Sequence, residues 1–174
     1  MLATQYANDP LAPLRVLGRE GTLAQDYLDR TRLVLQDFAS RSELVSFSAL
    51  RREPGTYART LLFGDSELSV WGIVWPPGVR TSIHDHHCSC CFAVLRGQIE
   101  ERWFRPVNET RVARSKLAVR HPGYVACMLP SGPNIHQMAN TSDEEAISVH
   151  IYGYDHRAKD SSIEREYFCI DSVN

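Results

Sequence analysis

The stretch Gly78-Val79-Arg80-Thr81-Ser82-Ile83-His84-Asp85-His86 carries two histidines two positions apart, and His136 follows farther along the chain. Side chains two positions apart on a β-strand project from the same face, so both imidazoles would enter the same space. Imidazole nitrogens suit iron, copper, nickel and zinc. A third histidine from a neighbouring strand would complete a facial set that leaves positions open for substrate. The stretch therefore predicts a β-strand at a catalytic metal site.

The size and charge of the chain limit its other functions. Its 174 residues suffice for one domain with a buried core, and 43% hydrophobic and 23% charged residues are ordinary for a globular protein. A net charge of -2 indicates no nucleic-acid partner. The apolar runs are too short to cross a membrane, and residues 1–5 lack the layout of a signal peptide. We expect a cytoplasmic monomer or small homo-oligomer without a membrane partner.

The cysteine pattern argues against a disulfide framework. The chain has five cysteines, an odd number, and Cys88, Cys90 and Cys91 crowd one short turn. Cys88 and Cys90 lie near histidines, but no second ligand pair follows at the spacing of a zinc finger. We therefore expect no structural zinc, and we expect Cys127 and Cys169 to act as small buried residues.

The first third of the chain predicts helix. Thr22-Leu23-Ala24-Gln25 is a capping box that would begin a helix over residues 22–39. A shorter helix is expected near residues 46–52. The apolar face of the long helix follows from helical spacing and would contain Leu23, Tyr27, Val34 and Phe38.

From Tyr57 onward the pattern changes to short strands separated by turn signals such as Arg96-Gly97 and His121-Pro122-Gly123. Many short strands at this spacing favour an antiparallel barrel or sandwich. We expect a single domain over 1–174, with a helical part at 1–55 and a β-barrel at 56–174. The strand candidates after Tyr57 are 68–75, 80–86, 90–96, 98–105, 124–129, 135–139, 146–154 and 166–171.

Two framed motifs resemble those of the cupin superfamily. Gly78-x5-His84-x-His86-x3-Cys90-x6-Gly97 is similar to the first cupin motif, with Cys90 where most cupins carry a glutamate ligand. Gly123, Pro130-Ser131-Gly132 and His136-x3-Asn140 resemble the second motif, with each gap one residue longer than usual. The resemblance implies a mainly β fold, a cupin-type, jelly-roll-like antiparallel β-barrel after an N-terminal helical segment.

Replacing the glutamate changes the charge of the expected site. Three neutral imidazoles leave a divalent metal with its full double charge, whereas a carboxylate would cancel part of it. Such a site favours an anionic ligand from the substrate, and a thiolate is a soft anion that suits iron.

Four further segments resemble the cysteine dioxygenases, the thiol dioxygenase branch of the cupins. Ser82-Ile83-His84-Asp85-His86, with Phe92 and Leu95-Arg96-Gly97 after it, is similar to the central segment of that family. The remaining matches are the third-ligand strand, the Ser-x-His-x-Tyr strand and the Tyr-x-Arg substrate segment. In this chain they read His136-Gln137-Met138-Ala139-Asn140, Ser148-Val149-His150-Ile151-Tyr152 and Tyr57-Ala58-Arg59.

This resemblance implies an enzyme that oxidises L-cysteine with O2 to cysteine sulfinic acid. His84, His86 and His136 would bind ferrous iron, Fe(2+). Arg59 would pair with the substrate carboxylate, and Tyr57 belongs to the same substrate segment. The alternating Ser148, His150 and Tyr152 share one strand face, so a hydrogen-bonded relay could orient the tyrosine hydroxyl beside substrate and O2.

The family resemblance leaves two questions open. Some members join a cysteine to the tyrosine by a thioether. Counting back from Gly97 selects Cys90, which we favour, and counting forward from His86 selects Cys91.

The second question is the substrate. The pair Tyr152-Gly153 is more similar to the 3-mercaptopropionate dioxygenases, which bind the carboxylate of their substrate through an arginine near the C-terminus. In this chain Arg157 or Arg165 would then bind that carboxylate. The presence of Arg59 and Cys90 instead favours L-cysteine as the substrate. A non-catalytic metal-binding cupin is the remaining alternative.

Overall fold

The computed structural model describes residues 24–41, 46–131 and 134–170. Helix α1 spans Ala24–Ser40, so the predicted helix is confirmed from residue 24 onward. Thr22 and Leu23 of the proposed capping box lie outside the described residues. Leu28, Leu35 and Phe38 recur at helical spacing and are buried against the sheet. No helix in the described ranges is long and apolar enough to cross a membrane.

The second predicted helix, near 46–52, is reduced to a 3-10 turn at Phe47–Ala49. Leu50 is already extended, with φ −71° and ψ 139°, and its side chain is buried in the same cluster as α1. The Arg51 backbone N–H donates to Thr60 Oγ1 at 2.8 Å instead of continuing a helical ladder. Burial of Leu50 and this contact with the first strand end the turn.

Ten strands in the described ranges form two five-stranded sheets. One sheet has the order β1-β2-β9-β4-β7 and is antiparallel throughout. The other has the order β10-β3-β8-β5-β6 and closes because β10 pairs with β6 in parallel. The strands are β1 Ala58–Gly64, β2 Ser69–Trp75, β3 Ile83–His86, β4 Cys90–Arg96, β5 Ile99–Pro106, β6 Arg111–Arg120, β7 Val125–Met128, β8 His136–Ala139, β9 Ala146–Tyr152 and β10 Ile163–Cys169.

These sheets confirm the expected mainly β barrel with a helix before it. The short parallel contact, Phe168 opposite Arg111, is an addition to the antiparallel scheme. The division of 1–174 into a helical part and a barrel stays a prediction, because residues 1–23 lie outside the described ranges.

Strands β1 and β6 lie outside the strand candidates of the sequence analysis. Strand β6 has almost no buried face. Over its length only Val112 is buried, so the strand lacks the alternation of apolar and polar residues that marks a half-buried strand. Backbone pairing with β5 holds it instead, in register from Ile99 opposite Arg120 to Pro106 opposite Val112. A strand held by backbone pairing on both sides, with its side chains mostly exposed, leaves little trace in the hydrophobic pattern.

The first sheet has two buried faces, and this places the functional residues. On β9, Ile147, Val149 and Ile151 pack under α1, while the alternate positions face the space between the sheets. Strand β4 divides in the same way, with Cys91, Ala93 and Leu95 on the helix side. The side chains facing the interior of the barrel are Cys90, Phe92 and Val94 from β4 and Ser148, His150 and Tyr152 from β9.

Gly97, in the turn between β4 and β5, has φ +67° and lies against the start of β9. A Cβ there would lie 2.8 Å from the Glu145 carbonyl oxygen and 2.9 Å from the Ala146 Cα. Both atoms are backbone, so they cannot move without shifting β9. Only glycine fits this turn without strain and without a clash.

We expect Gly97→Ala to lower the free energy of unfolding by about 2–4 kcal/mol, because left-handed strain and overpacking add. Gly123→Ala is the matched control: Gly123 has φ +87°, but nothing lies within 4 Å of the position that a Cβ would take. That variant should lose only about 1 kcal/mol. Urea unfolding of both variants measures the difference, and equal losses would contradict the steric explanation.

Candidate metal centre and active site

Three histidines meet inside the barrel. His84 and His86 lie on β3, and His136 lies on β8 directly opposite His84 in the strand register. All three are buried, and one ring nitrogen from each lies within 4.8 Å of the others. The structure thus brings together the residues that the sequence analysis predicted as metal ligands.

Each of these imidazoles has an acceptor at Nδ1. His84 Nδ1 lies 3.0 Å from the Ser82 carbonyl oxygen, and His86 Nδ1 lies 3.3 Å from the Ser162 carbonyl oxygen. For His136 the acceptor is a carboxylate, described below. A carbonyl or carboxylate oxygen only accepts, so these contacts assign the proton to Nδ1 and leave the Nε2 lone pair free to bind a metal.

The spacing of two of these nitrogens fits a bound cation. His86 Nε2 and His136 Nε2 lie 3.0 Å apart. With both protons on Nδ1, two lone pairs face each other at this distance, which is unfavourable unless a positive charge lies between them. Two imidazoles bound at about 2.0–2.1 Å and near a right angle would hold their nitrogens about 3 Å apart. The donor set therefore fits a divalent metal.

Burial keeps the two imidazoles on β3 in the neutral form that a metal needs. Burial, with a smaller contribution from His136, lowers the pKa of His84 to about 3. Burial and the two neighbouring imidazoles lower the pKa of His86 to about 2. Metal ligation requires neutral imidazole, so these two residues are ready to bind over the whole physiological pH range.

A buried carboxylate that the sequence analysis missed lies behind His136. Glu101 Oε1 is 3.3 Å from His136 Nδ1, and Glu101 Oε2 accepts from Arg120 Nε at 2.9 Å. Burial alone would raise the pKa of Glu101, but the hydrogen bonds from His136 and Arg120 lower it. A signal was available in the sequence. Glu101 lies two positions from the apolar Ile99 and two from the apolar Trp103 along β5, so it shares their inward strand face.

A second hydrogen-bonded chain runs along β9 on the same side of the sheet. Ser148 Oγ is 2.9 Å from His150 Nε2, and the Tyr152 hydroxyl is 3.2 Å from His150 Nδ1. Trp75 Nε1 donates to Ser148 Oγ at 2.8 Å, a contact that the sequence analysis missed. Burial lowers the pKa of His150 to about 3 and raises that of Tyr152, so every member of the chain is neutral.

The strand register places Cys90 and Cys91, the two candidates for a thioether with Tyr152, on opposite faces of β4. Cys90 lies directly opposite Tyr152 in the β4–β9 ladder, and its thiol hydrogen-bonds the Tyr152 hydroxyl. Cys91 points to the other face, where it packs under α1 opposite Cys127. Of these two cysteines, Cys90 is the one that shares the interior face with Tyr152.

Arg59 and Tyr57 line the same cavity as the histidines. The cavity measures about 80 Å³, where one water needs about 10–15 Å³. It therefore has room for a molecule of a few non-hydrogen atoms. The Tyr57 ring stacks on Trp75 at a centroid distance of 5.1 Å. The Arg59 guanidinium lies 5.1 Å from the Trp71 ring, and its Nη2 donates to the Asp160 carbonyl oxygen at 3.3 Å.

The two arginines considered as alternatives are engaged elsewhere. Arg157 forms an exposed ion pair with Asp155. The exposed Arg165 forms an ion pair with the buried carboxylate of Asp85. Neither lines the cavity that holds the histidines.

Comparison with known proteins identifies the family to which this site belongs. A sequence family described as cysteine dioxygenase type I matches residues 31–157, well over half of the chain. The chain belongs to the cysteine dioxygenase type I family. The matched range contains the three histidines, the β9 relay and Arg59.

Solved structures confirm the cupin-type fold. A Klebsiella pneumoniae protein with a double-stranded β-helix domain is 18% identical, with 62% of this chain and 85% of that chain covered and a TM-score of 0.50. A Thermus thermophilus protein is 20% identical, with 63% and 95% covered and a TM-score of 0.51. At these identities the likeness shows the fold alone.

Two curated relatives come from tobacco, Nicotiana tabacum. Auxin-binding protein T92 is 30% identical and auxin-binding protein T85 is 46% identical, each over 94 residues. The match covers 54% of this chain and 49% of each relative, so the chain spans about half the length of these proteins.

The buried imidazoles predict that the metal-free protein loses stability in acid. Unfolded, His84, His86 and His150 would bind protons below their ordinary pKa of about 6.5, whereas the folded protein holds them neutral. From pH 6.5 to 4.5, we expect the free energy of unfolding to fall by up to about 1.4 kcal/mol per pH unit for each group. Urea unfolding with a chelator present measures the slope.

Two variants make this test specific. His150→Gln should remove about one third of the slope, because one of the three groups no longer titrates. His121→Gln changes a histidine on the exposed surface and should leave the slope unchanged. A stability that is flat over this pH interval would contradict the neutral state of the buried imidazoles.

Proposed function

We propose that the protein is a mononuclear non-haem iron thiol dioxygenase that oxidises L-cysteine to cysteine sulfinic acid. The observation that carries the proposal is a buried set of three histidines that shares one small cavity with Arg59. Membership of the cysteine dioxygenase type I family supports it. The reaction adds both atoms of O2 to the thiol sulfur, so it balances without a further reductant.

His84, His86 and His136 would hold the Fe(2+) ion through their Nε2 atoms. Bound there, ferrous iron would supply the redox chemistry that joins a thiolate to O2. Among the described residues no carboxylate joins this set. Cys90 occupies the position where most cupins carry a glutamate. The ligand atoms are neutral, and this favours an anionic thiolate from the substrate.

Arg59 would bind the substrate carboxylate. The guanidinium group presents paired N–H donors that match the two oxygens of a carboxylate. Its contacts in the structure, a carbonyl oxygen at 3.3 Å and the face of Trp71, leave further donors for a ligand. Because Arg157 and Arg165 pair with carboxylates outside the cavity, Arg59 supports L-cysteine over the alternative substrate, 3-mercaptopropionate.

The β9 relay would direct a proton of Tyr152 into the cavity. Trp75 Nε1 can only donate, so Ser148 Oγ accepts from it and donates its own hydrogen to His150 Nε2. The neutral His150 then carries its proton on Nδ1 and donates it to the Tyr152 oxygen. The Tyr152 O–H hydrogen is left for a partner beside the substrate, and we propose that it hydrogen-bonds the reacting thiol or oxygen.

A second candidate follows from the tobacco relatives, whose names describe auxin binding. In this alternative the chain is a metal-binding cupin that binds a small carboxylate through Arg59 and performs no oxidation. Both functions use the same cavity, and turnover separates them. The cytoplasmic location and the monomer or small homo-oligomer stay predictions.

Oxygen uptake by the Fe(2+)-loaded protein tests the proposal. We expect L-cysteine to consume one O2 per molecule and to gain two oxygen atoms, measured by an oxygen electrode and by mass spectrometry with labelled O2. Arg59→Gln should raise the KM for L-cysteine by roughly 10–100-fold, because a charge-assisted hydrogen bond is lost. Tyr152→Phe should lower kcat while the iron content stays unchanged.

Two controls accompany this test, a second arginine variant and a thiol without a carboxylate. Arg157→Gln removes an exposed arginine outside the cavity and should leave both constants unchanged. Cysteamine lacks the carboxylate, so its turnover should be insensitive to Arg59→Gln. If no small thiol supports oxygen uptake, the enzyme proposal is wrong and the binding cupin remains. A preference for 3-mercaptopropionate over L-cysteine would instead assign the alternative substrate.

A further inference from the structure

Glu101 is a fully buried carboxylate whose two oxygens have different partners. Oε1 faces His136 Nδ1 at 3.3 Å, and Oε2 accepts from Arg120 Nε and Nη2 at 2.9 and 2.8 Å. The exposed fraction of the Glu101 side chain is 0% and that of Arg120 is 14%. A buried carboxylate is unfavourable unless its partners satisfy both oxygens, and here they do.

Arg120 is itself held in place from its other side. Its guanidinium carbon lies 4.1 Å from the centre of the Tyr124 ring, a cation–π contact. The Glu101 carboxylate thus lies between a fixed cation on β6 and a histidine of the metal centre on β8. This arrangement fixes which oxygen faces the imidazole.

We propose that Glu101 is a positioning residue that holds His136 in the Nδ1-protonated tautomer and thereby directs the Nε2 lone pair at the metal. Arg120 anchors the carboxylate through its other oxygen. The inference rests on the proposed metal centre and deepens it. Among the described residues, His136 is the histidine of the set whose Nδ1 contact is a charged group rather than a backbone carbonyl.

The carboxylate also contributes charge to the centre from a distance. Most cupins have a glutamate that binds the metal directly, and this chain has Cys90 at that position. A carboxylate that accepts a hydrogen bond from a ligating imidazole makes that imidazole a stronger donor to the metal. Glu101 thus supplies negative charge through His136 and leaves the coordination position itself open.

The variant Glu101→Gln separates this role from a plain ion pair. The amide has one oxygen and one NH2 group, and the two N–H donors of Arg120 would select the oxygen. The NH2 group would then face His136 Nδ1, which must become an acceptor. The imidazole proton would move to Nε2, the atom that binds the metal.

Two measurements on the full-length chain read out this change. We expect the affinity for a divalent metal, titrated as Co(2+), to fall by about 10–100-fold in Glu101→Gln. In the metal-free protein, the nitrogen-15 chemical shifts of labelled histidine should report Nδ1–H at His136 in the wild type and Nε2–H in the variant. The His136 signals are assigned by their absence in His136→Gln.

The double variant Glu101→Gln with Arg120→Met should reverse the effect. Without the arginine donors, the amide can turn its oxygen to His136, so the Nδ1–H tautomer and most of the affinity should return. An ion pair that merely joins β5 to β6 predicts the opposite, because the double variant loses both charges. Glu100→Gln is the matched control: its partner is Arg102, outside the centre, and its affinity should equal that of the wild type.

The outcomes distinguish this inference from the proposal on which it rests. If the wild type binds no divalent metal, the proposed metal centre is wrong. If the wild type binds metal and Glu101→Gln retains both the affinity and the Nδ1–H tautomer, the metal centre stands and the role of Glu101 is wrong. Should the double variant fail to fold, the tautomer in Glu101→Gln alone decides.

Discussion

Two unprotonated imidazole nitrogens held 3.0 Å apart in a buried space are the constraint around which this structure is arranged. The lone pairs of His86 and His136 repel each other unless a cation lies between them. Protonating His86 is also unfavourable, because burial and the neighbouring imidazoles lower its pKa to about 2. The arrangement is stable when a metal is bound, so the metal site and the fold support each other.

The two sheets contribute different residues to this site. The closed sheet supplies the ligands, because β3 and β8 pair and place His84 opposite His136. The other sheet supplies the polar groups that face the ligands, and its opposite surface is covered by α1. Strand alternation makes this possible, since β9 presents apolar residues to the helix and Ser148, His150 and Tyr152 to the interior. A one-residue slip in β9 would exchange the two sets.

The sequence predicted those features that local spacing determines. The histidine pair two residues apart, the alternating β9 relay and the position of Cys90 all follow from strand periodicity, and the structure brings these side chains together. The contacts that the sequence missed join residues distant in the chain: Glu101 to His136 and Trp75 to Ser148 depend on how strands pair. Strand β6 was missed because its side chains are mostly exposed. The helix expected near 46–52 is only a 3-10 turn, because Leu50 packs into the core.

The most direct test of the central claim is absorption spectroscopy of the Co(2+)-loaded protein titrated with L-cysteine without oxygen. The account predicts a thiolate-to-metal charge-transfer band that saturates at one cysteine per protein and is absent with L-serine. The band should also disappear in His84→Ala, which removes a ligand. A protein that binds Co(2+) but gives no band with cysteine, or an unchanged band in His84→Ala, would contradict a three-histidine site that receives the substrate thiolate.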